Sequence, residues 1–194
     1  MVGNQPTLFF KLINKMACSS LIDLLRSCGA EGVVGGLEKL YMVAYSDLVP
    51  NGTTQLTYSA ATNGVVNTIF LATGKTFSEV GLLKSTAGVT ETLTKNAANG
   101  VSFFTQSMTV VLSDLTNENR LWIESVLNQP VAFLIKTKTG KFFVGGLNGQ
   151  FEVSAIEGGT GIADDSLIGY TLTFAGVSTK LITQVNPTII ASII

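Results

Sequence analysis

Phe104, Met108, Val110 and Leu112 fall on one side of an extended segment, and Thr105, Ser107 and Thr109 fall on the other. A period of two is the signature of a half-buried β-strand, because successive side chains leave opposite faces. The same period recurs along most of the chain. Leu40, Met42 and Ala44 alternate with Tyr41, Val43 and Tyr45, apolar on both sides, which predicts a strand buried on both faces. Val89 to Thr94 alternates as well. Gly169 to Gly176 carries Tyr170, Leu172 and Phe174 inward with Thr171 and Thr173 outward.

Turn signals divide these runs. Pro50-Asn51-Gly52 marks a turn within Asp47 to Gly52, and Asn96 to Gly100 marks a loop. Thr73-Gly74-Lys75 between Val65–Ala72 and Thr76–Leu83 predicts a hairpin, as does Thr139-Gly140-Lys141 within Val131 to Gly145. Glu157 to Ser166 (EGGTGIADDS) is expected to be a flexible loop.

One segment breaks the strand pattern. Thr116 is a candidate N-cap, and Glu118 lies in the first turn, where a carboxylate favours the helix dipole. Trp122, Ile123, Val126 and Leu127 form one apolar stripe, with Arg120, Glu124 and Asn128 pointing away, and Pro130 ends the helix. About eight strands around one amphipathic helix predict a mainly β (α+β) domain. The expected form is an antiparallel sandwich or partly closed barrel, with the helix against its open side.

Charge is scarce: charged residues are 13% of the 194, whereas an ordinary soluble domain carries about 25%. Apolar residues make up 46%, and mean hydropathy is +0.42. No run approaches the roughly 18–20 apolar residues of a membrane-spanning helix, so no membrane association is expected. Burial against neighbouring subunits is the expected way to cover so apolar a surface. The alternative is a compact monomer with an apolar, threonine-rich exterior.

The chain has no histidine, and its formal charge is −1. Histidine-based general base catalysis, His metal sites and a broad basic footprint for nucleic acid are thereby excluded. Glu157-Gly158-Gly159-Thr160-Gly161 lacks the Gly-Lys-Ser/Thr ending of a phosphate loop. Asp164-Asp165 lacks the alternate-position ligands of a calcium loop. No Ser-x-x-Lys offers a lysine in place of the missing histidine. No catalytic residue, metal site or cofactor is expected, and the chain reads as a non-enzyme. Cys18 and Cys28 flank a helix-like run, Ser19 to Ser27. Ten residues along one helix span about 15 Å, too far for a disulfide, so both are expected free and buried. Lys75, Lys84, Lys95, Lys136, Lys138 and Lys141 sit in turns, either for solubility or to face acidic partners such as Glu79, Glu91 or Glu157.

The ends read as arms. Lys11 and Lys15 interrupt the apolar run near the start, so no secretory signal is expected, and residues 1–16 are an N-terminal arm. Residues 17–177 form the β domain. Residues 178–194 form a C-terminal arm whose uncharged stretch, Thr188 to Ile194, is expected to add as a strand to a neighbouring subunit. The expected interface residues are Phe9, Phe10, Asn96, Asn99, Pro187, Ile189, Ile190, Ile193 and Ile194.

The order of motifs resembles tail-tube-like structural proteins of tailed bacteriophages, especially those of Bacteroidetes hosts. The resembling features begin with Gly35 to Tyr41 (GGLEKLY), Phe77 to Glu91 (FSEVGLLKSTAGVTE) and Phe104 to Thr109. They continue with the helix from Thr116, Val131 to Leu147 leading into Gly-Leu-Asn-Gly, and Gly169 to Gly176. The resemblance implies a virion structural protein, assembled in the host cytoplasm, that forms a ring, commonly hexameric, of the tail tube or neck. Its implied partners are copies of itself and other tail or neck proteins, with genomic DNA passing transiently through the lumen. Inner sheets would join into one barrel, with Val65–Leu83 and Val101–Leu112 contributing to the lumen wall. The alternative is a receptor- or carbohydrate-binding β-sandwich of a fibre or baseplate.

Overall fold

The computed structural model describes residues 35–61, 63–163 and 166–194. Phe9, Phe10, both cysteines, the helix-like run between them and Asp164-Asp165 lie outside the described residues. Eleven strands and two short α-helices follow in this order: β1 Leu37–Ala44, β2 Tyr58–Ala60, β3 Val66–Ile69, β4 Ser78–Val80, β5 Gly88–Asn96, β6 Val101–Ser113, α1 Asn117–Val126, β7 Val131–Thr137, β8 Phe142–Gly145, β9 Phe151–Gly159, β10 Gly169–Ser178, β11 Thr183–Val185 and α2 Ile190–Ile193. The protein is mainly β, as its periodicity predicts. Seven strands form one sheet in the order β2-β3-β11-β8-β7-β1-β4, and four form another in the order β5-β6-β10-β9. Neither sheet closes on itself, so the barrel alternative is set aside.

The core has two parts, one on each face of the larger sheet. Leu40, Met42, Phe133 and Ile135 from that sheet meet Met108, Val110, Leu172 and Phe174 from the smaller one, with Ile123 and Val126 of α1 beside them. Phe151 sits between Phe133, at 4.6 Å between ring centroids, and Phe174, at 5.9 Å. Tyr41, Val43, Ala132, Leu134 and Val144 face the other way, against Leu48, Phe77, Ile190 and Ile193. Val131 to Ile135 are therefore buried on both faces, at 2% exposure or less. Burial of each large apolar side chain contributes about 1.5–3 kcal/mol, which makes β7 the centre of the fold.

α1 forms where its caps predict. The Thr116 hydroxyl accepts a hydrogen bond from the Asn119 N–H at 3.2 Å. The stripe is narrower than expected: Ile123 and Val126 are buried, Trp122 packs partly, and Leu127 at the C-cap is 41% exposed. The β7–β8 hairpin turns as predicted, with the Thr137 N–H bonded to the Lys141 carbonyl at 2.9 Å.

Four expectations are corrected. Thr73-Gly74-Lys75 is not a hairpin turn. β3 pairs with β2 and β11, while β4 lies at the opposite edge of the sheet against β1, so this segment is a crossover. Phe77, 2% exposed, fixes the crossing by burying its ring in the second core. The start of the Glu157–Ser166 loop is strand: Glu157, Gly158 and Gly159 pair with Thr171, Tyr170 and Gly169. Glycine is required at Gly158 because the Tyr170 ring lies where a Cβ would be.

Thr188 to Ile194 is not an added strand. Pro187–Ile189 forms a 3-10 turn that leads directly into α2. The Asn186 side chain accepts from the Thr188 N–H at 3.1 Å, and Pro187 has the φ that a helix start needs. Three-residue spacing then puts Ile190 and Ile193 into the core of their own chain, which overrides the strand preference of isoleucine. Finally, the two segments expected to line a lumen lie in different sheets: β3 and β4 in the larger, β6 in the smaller.

Candidate functional site

Among the described residues, the four-stranded sheet turns one face to the core and leaves the other open. On the open face, Thr105, Ser107, Thr109 and Val111 of β6 stand directly opposite Val177, Ala175, Thr173 and Thr171 of β10. Thr90 and Thr92 of β5 stand opposite Ser107 and Thr105. β6 and β10 contain no Asp, Glu, Lys or Arg. The charges sit on the outer strands: Glu152 and Glu157 on β9, Glu91 and Lys95 on β5. Threonine suits this surface, since its branched Cβ favours the pleated strand while its hydroxyl stays in water.

Beneath the face, a polar clamp ties the sheet to the chain leaving β10. Gln106 is 3% exposed, and its Nε2 donates to Glu91 Oε1 at 3.0 Å and to the Lys180 carbonyl at 3.3 Å. The same Glu91 oxygen accepts the Ile182 N–H at 2.7 Å. Both neighbours of the Gln106 amide nitrogen are acceptors, which fixes the orientation of the amide. A cavity of about 290 Å³ opens beside the clamp, walled by Tyr45, Tyr58, Leu147, Lys180 and Leu181. Lys180 Nζ lies 3.4 Å from the Tyr58 hydroxyl. The Thr57 hydroxyl on its wall is spent on the Leu147 carbonyl at 2.9 Å. No carboxylate lines this cavity.

The residues expected at an interface fall into two places. Asn96 and Asn99 are exposed at the β5–β6 hairpin tip, where Asn96 Oδ1 accepts from the Ala98 N–H at 3.1 Å and the Asn99 N–H at 3.3 Å. Ile189, Ile190 and Ile193 lie against the larger sheet instead, while Pro187 is exposed. Ile190 and Ile193 are 7% and 4% exposed, the Ile193 carbonyl accepts the Phe77 N–H at 2.7 Å, and Ile194 is 41% exposed. Two of the six lysines expected in turns have carboxylate partners: Lys75 with Asp47 at 3.3 Å, and Lys136, which lies in β7, with Glu38 at 2.7 Å. Glu79 pairs with Lys39 on β1 at 3.1 Å.

Sequence reading missed the clamp and the uncovered edges. Its signal is present, because Gln106 falls on the inward side of the Phe104–Leu112 alternation, where a polar group needs a buried partner.

Among the described residues, no cluster of three or more His, Cys, Asp or Glu could hold a metal ion, and no helix is long and apolar enough to cross a membrane. The chain matches no protein-family model, no curated protein and no solved structure in these comparisons.

Proposed function

We propose that this chain is a virion structural subunit that assembles with copies of itself into a ring of a phage tail tube or neck. In this reading the fold is a sandwich of the tail-tube type, antiparallel except where β11 meets β3, and it works by packing rather than by catalysis. The open face of the four-stranded sheet turns toward a channel through which DNA passes. The observation that carries the reading is this face: a broad surface of threonine, serine and small residues with no charge on its two central strands. Each lysine or arginine contact to phosphate adds affinity, so a passage must be poor in such contacts for DNA to slide. The scarcity of charge in the whole chain supports the same reading, as do exposed Leu93, Leu121, Ile162 and Ile168.

A glycan- or receptor-binding role draws on a different feature, the cavity walled by Tyr45 and Tyr58. Light scattering and negative-stain imaging of the purified protein separate the two. Rings or tubes are expected. A monodisperse monomer or trimer that binds glycans would replace the assembly reading with the second one.

A further inference from the structure

In an Asn-Gly pair the backbone can attack the asparagine side chain, because glycine has no Cβ to hinder its amide nitrogen. The sequence holds four such pairs: Asn51-Gly52, Asn63-Gly64, Asn99-Gly100 and Asn148-Gly149. Their shared dipeptide makes them similarly labile in an unfolded chain. Hydrogen bonding in the fold separates them.

Attack needs two freedoms. The glycine N–H must be unbound, so that its nitrogen can reach the asparagine Cγ, and the carboxamide must be able to turn toward it. Asn148 has neither. Its Nδ2 donates to the Val177 carbonyl at 2.7 Å, and its Oδ1 accepts the Gln150 N–H at 3.3 Å. The Gly149 N–H donates to the Gly146 carbonyl at 3.2 Å, and the Tyr45 ring lies where a Cβ on Gly149 would be. Asn63 is held twice: its Oδ1 accepts the Val65 N–H at 3.2 Å, and the Gly64 N–H donates to the Ala61 carbonyl at 2.9 Å. At Asn51 the Oδ1 accepts the Thr53 N–H at 3.0 Å. Its backbone is tied on both sides, the N–H to the Leu56 carbonyl at 2.9 Å and the carbonyl to the Gln55 N–H at 2.8 Å.

Asn99 is the exception. It is exposed at the β5–β6 hairpin tip beside Ala97 and Ala98, whose side chains are too short to shield it. Asn96 Oδ1 holds the tip, through the Ala98 and Asn99 N–H groups at 3.1 and 3.3 Å. Among the described residues, neither the Asn99 carboxamide nor the Gly100 N–H takes part in a hydrogen bond. A Cβ built on Gly100 meets nothing within 4 Å, so the space around the nucleophile is open.

We propose that Asn99 is a self-modifying position, which deamidates in the folded chain ahead of the other three pairs. The Gly100 nitrogen bonds to Asn99 Cγ, the Cγ–Nδ2 bond breaks, and the glycine proton leaves with the departing ammonia. The product is a five-membered succinimide. Water adds to one of its two carbonyls and that ring C–N bond opens, which gives aspartate or isoaspartate. One water is consumed and one ammonia released, with no redox step and no partner. Each conversion adds one negative charge to a chain of formal charge −1. The inference stands apart from the assembly reading.

The test incubates the native full chain at mildly alkaline pH, then digests it in acid for peptide mass mapping. The Asn99 peptide is expected to gain one mass unit at least about tenfold faster than the Asn148 peptide, since hydrogen bonds that must break first raise the barrier. Asn99→Gln, whose longer side chain closes a ring slowly, should remove the first acidic band on isoelectric focusing. In urea the four pairs should react at similar rates, which isolates the contribution of the fold. Conversion of Asn51, Asn63 or Asn148 in the folded chain as fast as Asn99 would overturn the proposal. So would an intact Asn99 in the folded chain over a period in which the urea-unfolded chain reacts.

Discussion

Glu91 Oε1 accepts two hydrogen bonds, from Gln106 Nε2 at 3.0 Å and from the Ile182 backbone N–H at 2.7 Å. The carboxylate thereby joins an edge strand, its neighbour and the segment that crosses to the other sheet. Glu91→Ala strands a donor on a residue that is 3% exposed, along with a backbone N–H, and is expected to cost about 1–3 kcal/mol. Glu91→Gln keeps an acceptor oxygen and should lose less. Urea unfolding of the three proteins checks the order; equal stability of Glu91→Ala and the native chain would show the clamp to be idle.

Ile193 tests the corrected reading of the C-terminal segment. Buried at 4% exposure beside Phe77, it is expected to lose about 2–4 kcal/mol on replacement by alanine. The loss should be the same at any protein concentration, because the contact lies within one chain. A stability change seen only in the assembled protein would return Ile193 to the interface first expected for it.

Thr173→Lys places a cation in the middle of the open face, where the side chain has no core contacts to lose. Stability should stay within about 0.5 kcal/mol of the native chain. Assembled particles, by contrast, should now retain double-stranded DNA in a salt-dependent way that native particles do not. Identical gel shifts for the two would argue against a channel-facing role.

Lys39 gives the pH dependence its sign. Its ammonium donates to Glu79 Oε2 at 3.1 Å, and this hydrogen bond, followed by attraction to the carboxylate, raises its pKa above 10.5. A raised folded pKa means that the contribution is complete below the unfolded value and is lost as pH climbs through the folded one. Thermal melts from about pH 9 to pH 12 should show the native chain losing its small advantage over Lys39→Met above pH 10.5. Near neutrality the two curves should run parallel.

Local chemistry made some of these elements legible. Thr116, the 122–126 stripe and Pro130 declare α1 without tertiary help, and Thr139-Gly140-Lys141 declares its hairpin because those strands pair with each other. Thr73-Gly74-Lys75 has equally good turn chemistry, yet β4 pairs with residues 37–44 and β3 with residues 58–60 and 183–185. No local signal encodes that. β9 was overlooked because its Gly158-Gly159 end resembles a loop, and only the Tyr170 ring across Gly158 explains the glycine. Isoleucines 189–194 suggest a strand by propensity, but a capping Asn186 and a three-residue spacing decide for a helix. The open face of the candidate site was readable as alternating threonine. Its edges were not, since they depend on which strands end up outermost.

β3 joins the larger sheet only through β2, its own hairpin partner, and β11. Until Thr183–Val185 emerge from the ribosome, the parallel pairing of β3 cannot form, and Val66 and Ile69 lack Val185 from the core they share. The edge of the larger sheet is thereby completed late, by a segment far downstream of the β2–β3 ribbon it secures.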